Sequence, residues 1–186
     1  MTKTPYQFIH ETRYLKREQV SNLFGIVRSA HKQGIKFNKF VTINLPDIDE
    51  RMVQKTITRV MEYTRKWLAR EGHHHAHIWV LENGGYHEIH AHILLYIPPD
   101  YKRSFRKNLK KWLGCSDEVS DRVVIEDVRY PQWGNLHEES AVLGSLRYMC
   151  KGINPEEAIE GIESSPQGRI LGRRCGYSNL PFPNHK

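Results

Sequence analysis

His75 to Ile97 reads HAHIWVLENGGYHEIHAHILLYI. Two runs rich in β-forming residues, His75 to Glu82 and His87 to Ile97, flank the turn-forming Asn83-Gly84-Gly85, so the stretch predicts a β-hairpin. Side chains alternate across a strand. Ile89, Ala91, Ile93, Leu95 and Ile97 therefore fall on one face, suited to packing against helices, and His90 and His92 share the other.

Outward from the hairpin, the periodicity changes on both sides. Lys16 to Gln33 carries Val20, Leu23, Phe24 and Val27 at helical spacing, with Gly34 as a stop. Phe37 to Leu45 reads as a strand that Pro46 ends. Asp49 caps a helix to about Arg70, with Val53, Ile57, Val60, Met61, Trp67 and Leu68 on one face. Beyond the hairpin, Pro98-Pro99-Asp100 opens a helix to Leu113, Arg122 to Arg129 alternates as a strand, and Glu138 to Ile153 is helical. The order β-α-β-β-α-β predicts an α+β fold, the ferredoxin-like split βαβ with a central antiparallel sheet. An extra N-terminal helix precedes it and a C-terminal tyrosine-bearing helix follows. Helices are expected on one sheet face, with the other face free to carry a site. Residues 1–153 form this domain, and residues 154–186 are expected to be an irregular basic tail packed on it.

The chain has 186 residues, with 28 Lys+Arg against 21 Asp+Glu and a net charge of +7. At 39% hydrophobic it can bury a core, which excludes a disordered or collagen-like chain. No apolar run approaches the ~20 residues that span a bilayer, and the N-terminus lacks a secretory stretch, so a cytoplasmic protein without a membrane partner is expected. Cys115, Cys150 and Cys175 are odd in number and widely spaced, which reads as reduced packing cysteines. The positive charge predicts a polyanionic partner, nucleic acid being the commonest.

Eleven histidines stand out, concentrated between His73 and His92. Two imidazoles two residues apart on a strand can ligate one cation. A third ligand should come from the neighbouring strand, and register decides which residue it is. A two-residue turn sets His77 opposite His92. A loop with an odd number of residues brings Glu82 to the histidine face, with Val80 opposite His90. Two histidines and a carboxylate suit Mg2+ or Mn2+ with positions left for substrate oxygens.

On the last helix, Val142, Leu146, Met149, Cys150 and Ile153 form the buried stripe, while Ala141, Gly144, Tyr148 and Lys151 lie opposite. A phenol one turn from a lysine can attack a metal-polarised phosphate. Between Lys102 and Leu113 the apolar stripe faces six cations, Lys102, Arg103, Arg106, Lys107, Lys110 and Lys111, with no acidic residue among them. These are candidate phosphate contacts, joined by Arg173 and Arg174.

Taken together, these residues resemble the HUH endonucleases, and within them the single-tyrosine rolling-circle replication initiators of small plasmids and single-stranded DNA phages. Phe40-Val41-Thr42-Ile43-Asn44-Leu45 resembles the first-strand motif, His90-Ala91-His92-Ile93-Leu94-Leu95 the histidine motif, and Tyr148-Met149-Cys150-Lys151 the Tyr-x-x-Lys motif. Ala91 is small for the middle hydrophobic position, and nothing after Ile153 is long enough for a helicase domain. Tyr148 follows the histidines, as in replication initiators. Conjugative relaxases carry the tyrosine first, which disfavours Tyr6 and Tyr14. Glu82 stands where many such initiators carry their acidic ligand.

The resemblance implies that His90, His92 and Glu82 hold a divalent metal, Mg2+ or Mn2+, and that Tyr148 attacks single-stranded DNA with Lys151 assisting. The product is a 5′-phosphotyrosine and a free 3′-hydroxyl that primes synthesis, with a host helicase and polymerase as further partners. Two other readings are a single-tyrosine transposase of the same superfamily and a non-catalytic nucleic-acid-binding protein with structural zinc.

Overall fold

The structure, a computed structural model, describes residues 10–45, 48–84, 89–114, 122–128 and 138–180. Its elements in chain order are β1 (Glu11–Thr12), α1 (Arg17–Lys32), β2 (Lys39–Asn44), α2 (Glu50–Arg70), β3 (His77–Asn83), β4 (Ile89–Leu95), α3 (Lys102–Leu113), β5 (Val123–Asp127), α4 (Glu138–Met149), β6 (Ile170–Leu171) and β7 (Cys175–Tyr177). The main sheet has the order β5-β2-β4-β3-β7, and every neighbouring pair is antiparallel. Its first four strands, with α2 and α3 as the crossovers, are the ferredoxin-like arrangement that the periodicity predicts.

Local chemistry accounts for the element ends. The Asp49 side chain accepts a hydrogen bond from the Arg51 backbone at 2.9 Å and caps α2. Leu68, the last buried residue of α2, is followed by the end of the helix at Arg70. α4 stops at Met149, short of the expected Ile153, and tightens into a 3-10 turn over Cys150–Gly152 that carries Lys151.

The sheet is covered on both sides. Val41, Ile43, Trp79, Leu81, Ala91, Ile93 and Leu95 pack under α2 and α3, which contribute Val53, Ile57, Met61, Phe105 and Leu109. On the other side, Ile78, Val80 and Leu94 pack under α1 and α4, through Leu23, Ile26, Val142, Leu146 and Met149. The expectation of one free sheet face is corrected. The apolar stripes of α1 and α4 need a surface to bury against, and that face supplies it. Ala141 is buried with this stripe instead of facing away.

The tail is not irregular throughout. β6 pairs with β1, and β7 adds a fifth strand along β3. Gly176 permits this close approach, since a Cβ there would lie 2.5 Å from the Trp79 ring, its partner in register. Cys150 and Cys175 are buried and free, and burial pushes their thiols up to about 12 and about 11. Cys115 lies outside the described residues. No helix among them is long and apolar enough to cross a membrane.

Candidate functional site

The pairing Asn83↔Ile89 leaves five residues, an odd number, between β3 and β4. Glu82 consequently lies directly across from His90 on the histidine face. Val80 faces His92, not His90, because the loop is longer than the shortest odd one. His77 pairs with Leu95 and belongs to the α2 side, away from His90 and His92.

β2 completes the face from the other side of β4. Thr42 is opposite His92 and Asn44 is opposite His90. The His90 Nδ1–H donates to Asn44 Oδ1 at 2.7 Å, which leaves Nε2 as the unprotonated nitrogen of the neutral ring. His92 Nδ1 lies 3.1 Å from Thr42 Oγ1, and its Nε2 lies 3.2 Å from Glu82 Oε2. Sequence reasoning assigned no role to Thr42 or Asn44. Their signal was present in the alternation of β2, where Phe40, Thr42 and Asn44 share a face between the apolar Val41 and Ile43.

α4 brings Tyr148 and Lys151 onto this face. The Lys151 ammonium is 3.0 Å from Glu82 Oε2 and 3.9 Å from the centre of the Tyr148 ring. The Tyr148 ring stands edge-on to His92 at 5.5 Å and to Phe40 at 6.3 Å, while Phe40 stacks on His92. Tyr148 is 51% exposed, so its hydroxyl side remains open to a substrate. Burial alone would raise the Glu82 carboxyl, but hydrogen bonds from His92 and Lys151 outweigh it and hold the group below the usual carboxylate range. Burial pulls the Lys151 ammonium down, whereas Tyr148 and Glu82 raise it further, so Lys151 stays charged. The face thus combines a carboxylate, a fixed ammonium, two oriented imidazoles and an accessible phenol.

Among the described residues, no group of three or more His, Cys, Asp or Glu is arranged to hold a metal ion. Glu82 Oε2 is engaged by Lys151 and His92. Glu82 Oε1, in contrast, is buried without a hydrogen-bond partner, an orphaned acceptor that a cation would satisfy. In donor type, two imidazoles and this carboxylate fit a divalent ion.

The candidate phosphate contacts divide. Arg174 is fully buried, and its guanidinium donates to the carbonyls of Thr12, Leu81, Gln167 and Gly168. It is a structural clamp, and the expectation that it contacts DNA is corrected. Arg173 is exposed beside α2, its backbone N–H bonded to Gln54. The six cations of α3 lie on the α2 side of the sheet, opposite Tyr148, because Phe105 and Leu109 anchor that helix there. Lys102 pairs with Asp127 of β5 at 2.7 Å. A strand touching both α3 and Tyr148 has to pass around an edge of the domain.

His77 instead joins His75 in a buried pair, and burial lowers their imidazoles to about 3 and about 4. Both folded values lie below the ordinary 6.5. Between pH 6.5 and about 4 the unfolded chain takes up protons that the folded chain refuses, so stability is fully present above this window and falls with acidification. Urea unfolding at pH 7.5 and pH 4.5 is expected to differ by on the order of 3 kcal/mol. His77→Gln is expected to flatten that difference.

Residues 38–154 match the family described as Replication-associated protein ORF2. No curated protein and no solved structure matches the chain. The matched span begins next to β2, ends after the turn bearing Lys151, and takes in Phe40, Thr42, Asn44, Glu82, His90, His92 and Tyr148. With the match extending over more than half of its length and over the whole of this polar face, the chain belongs to the ORF2 family of replication-associated proteins.

Proposed function

We propose that this chain is an HUH-type, single-tyrosine initiator that nicks and rejoins one DNA strand to start rolling-circle replication. The observation that carries the reading is the contact of Lys151 with both Tyr148 and Glu82, beside His92, which joins residues from α4, β3 and β4 in one reactive cluster. Membership of a replication-associated family directs the reading to replication and not to transposition.

In this reading the Tyr148 oxygen bonds to the scissile phosphorus as the bond from phosphorus to the 3′-oxygen breaks. The phenol loses one proton and the departing 3′-hydroxyl gains one. Lys151, charged and above the ring, stabilises negative charge on the phenolate and on the phosphate in flight. His90, His92 and Glu82 would hold a divalent ion, Mg2+ or Mn2+, which when bound polarises the scissile phosphate. Asn44 and Thr42 fix the two imidazoles, so their hydrogen bonds tune the ligands. The phosphotyrosine conserves the energy of the broken bond, and attack by a 3′-hydroxyl reverses the step. The exposed cations of α3 and Arg173 are proposed as contacts to DNA flanking the cleaved strand, with strand separation and synthesis supplied by a helicase and a polymerase.

The test is cleavage of a pool of single-stranded oligonucleotides in the presence of Mg2+ or Mn2+. Glu82→Ala is expected to weaken metal-dependent cleavage strongly, Asn44→Ala to raise the metal concentration required by roughly 10–100-fold, and His77→Ala to leave metal dependence nearly unchanged. A larger loss with His77→Ala than with Glu82→Ala would refute the ligand assignment.

A further inference from the structure

His75 and His77 form a second histidine cluster, on the other side of the sheet from Tyr148 and near the opposite end of β3. Their ring centres are 4.7 Å apart and the rings are inclined by 43°. Both nitrogens of His75 and Nδ1 of His77 are shut off from water, and none has a hydrogen-bond partner. Each such orphan costs roughly 1–3 kcal/mol, so the arrangement is unfavourable without a ligand. The rings border a cavity of about 650 Å³ whose wall includes Glu62 and Arg65 of α2, together with Arg173 and Tyr177.

The ligand follows from the nitrogens. Burial keeps both imidazoles neutral, the form whose lone pairs bind metals. Two neutral imidazoles this close, with no competing hydrogen bonds, match cations that prefer nitrogen, such as zinc, copper or nickel. A hard ion such as Mg2+ prefers oxygen and keeps its water. Glu62 is the nearest source of a third donor, since its charge acts on His75. It is engaged with Arg65 at 2.7 Å and 2.9 Å in an exposed pair, which contributes little to stability and can open. Arg65 and Arg173 are the positive charges that oppose a cation here. His73 is not part of the cluster, because its ring packs against Tyr101.

We propose that His75 and His77 form a binding site for a nitrogen-preferring divalent transition-metal ion, separate from the face that carries Tyr148. Because the His77 backbone N–H donates to Ser178 at 3.1 Å beside β7, an ion held there braces the junction of β3 with the tail.

The test titrates zinc into the full chain at pH 7 in a His90→Ala, His92→Ala background, so that the other histidine pair does not contribute. One zinc per chain is expected, with a rise in the thermal unfolding midpoint. His75→Ala or His77→Gln added to this background is expected to weaken zinc by at least the ~10–100-fold that loss of a ligand's supporting partner produces. As a readout independent of any substitution, long-range proton–nitrogen spectra of the unaltered chain are expected to show zinc shifting the ring nitrogens of both His75 and His77. Unchanged zinc affinity after either substitution overturns the proposal, as does a spectral response confined to other histidines such as His74.

Discussion

Tyr148→Phe is expected to abolish the covalent protein–DNA adduct and to lower strand cleavage by roughly 10⁴-fold or more, with DNA affinity nearly unchanged. The substitution is surgical. A phenylalanine ring keeps the edge contacts with His92 at 5.5 Å and Phe40 at 6.3 Å, and it keeps the ammonium of Lys151 above its face. Only the hydroxyl is lost, and it comes from a side chain that is 51% exposed, so no buried group is left unsatisfied. Folding should therefore be preserved, and far-ultraviolet circular dichroism of the variant checks that directly. Gel analysis of denatured reactions measures the adduct. Retention of the adduct would move the nucleophile elsewhere, with Tyr14, 39% exposed on the N-terminal segment, the first residue to test.

Arg174→Met is expected to have the largest effect on stability, a loss of about 3 kcal/mol or more. The Arg174 guanidinium joins three separate parts of the chain: Thr12 near the N-terminus, Leu81 on β3, and Gln167 with Gly168 in the tail. Burial lowers its pKa to about 10, which leaves it charged at neutral pH. Methionine fills much of the volume but donates nothing, so several carbonyls lose their donor where water does not reach. For a chain of this size the loss corresponds to a fall of roughly 6–12 °C in the unfolding midpoint. Because the Leu81 carbonyl precedes Glu82, the variant is also expected to cleave DNA less well at temperatures where it remains folded. A midpoint within about 2 °C of the unaltered chain would mean that the carbonyls find other partners.

These two residues mark the limits of what the sequence makes legible. The split βαβ order follows from strong local periodicities, and the structure has it. The parity of the β3–β4 register is readable from the need to bury Ile89, Ala91 and Ile93, but the loop length that sets Val80 opposite His92 is not. Tyr148 and Lys151 announce themselves by the helical spacing of two polar residues opposite a buried stripe, whereas Asn44 and Thr42 become meaningful only when β2 is paired with β4. β7 is three residues long, contains a glycine and has no usable period. The apolar stripes of α1 and α4 show that they bury something without showing which sheet face receives them. Arg174 and the α3 cations read alike in a basic sequence. Their different fates depend on tertiary partners, the carbonyls of residues 12 and 81 in one case and the anchors Phe105 and Leu109 in the other.

The most direct measurement is mass-spectrometric mapping of the covalent adduct formed by the unaltered chain on single-stranded DNA with Mn2+ or Mg2+. The account predicts a single modified peptide bearing a 5′-phosphotyrosine at Tyr148, formed only with the divalent ion present and accompanied by a free 3′-hydroxyl on the other fragment. Cleavage without any adduct, or an adduct on a residue other than Tyr148, would contradict it.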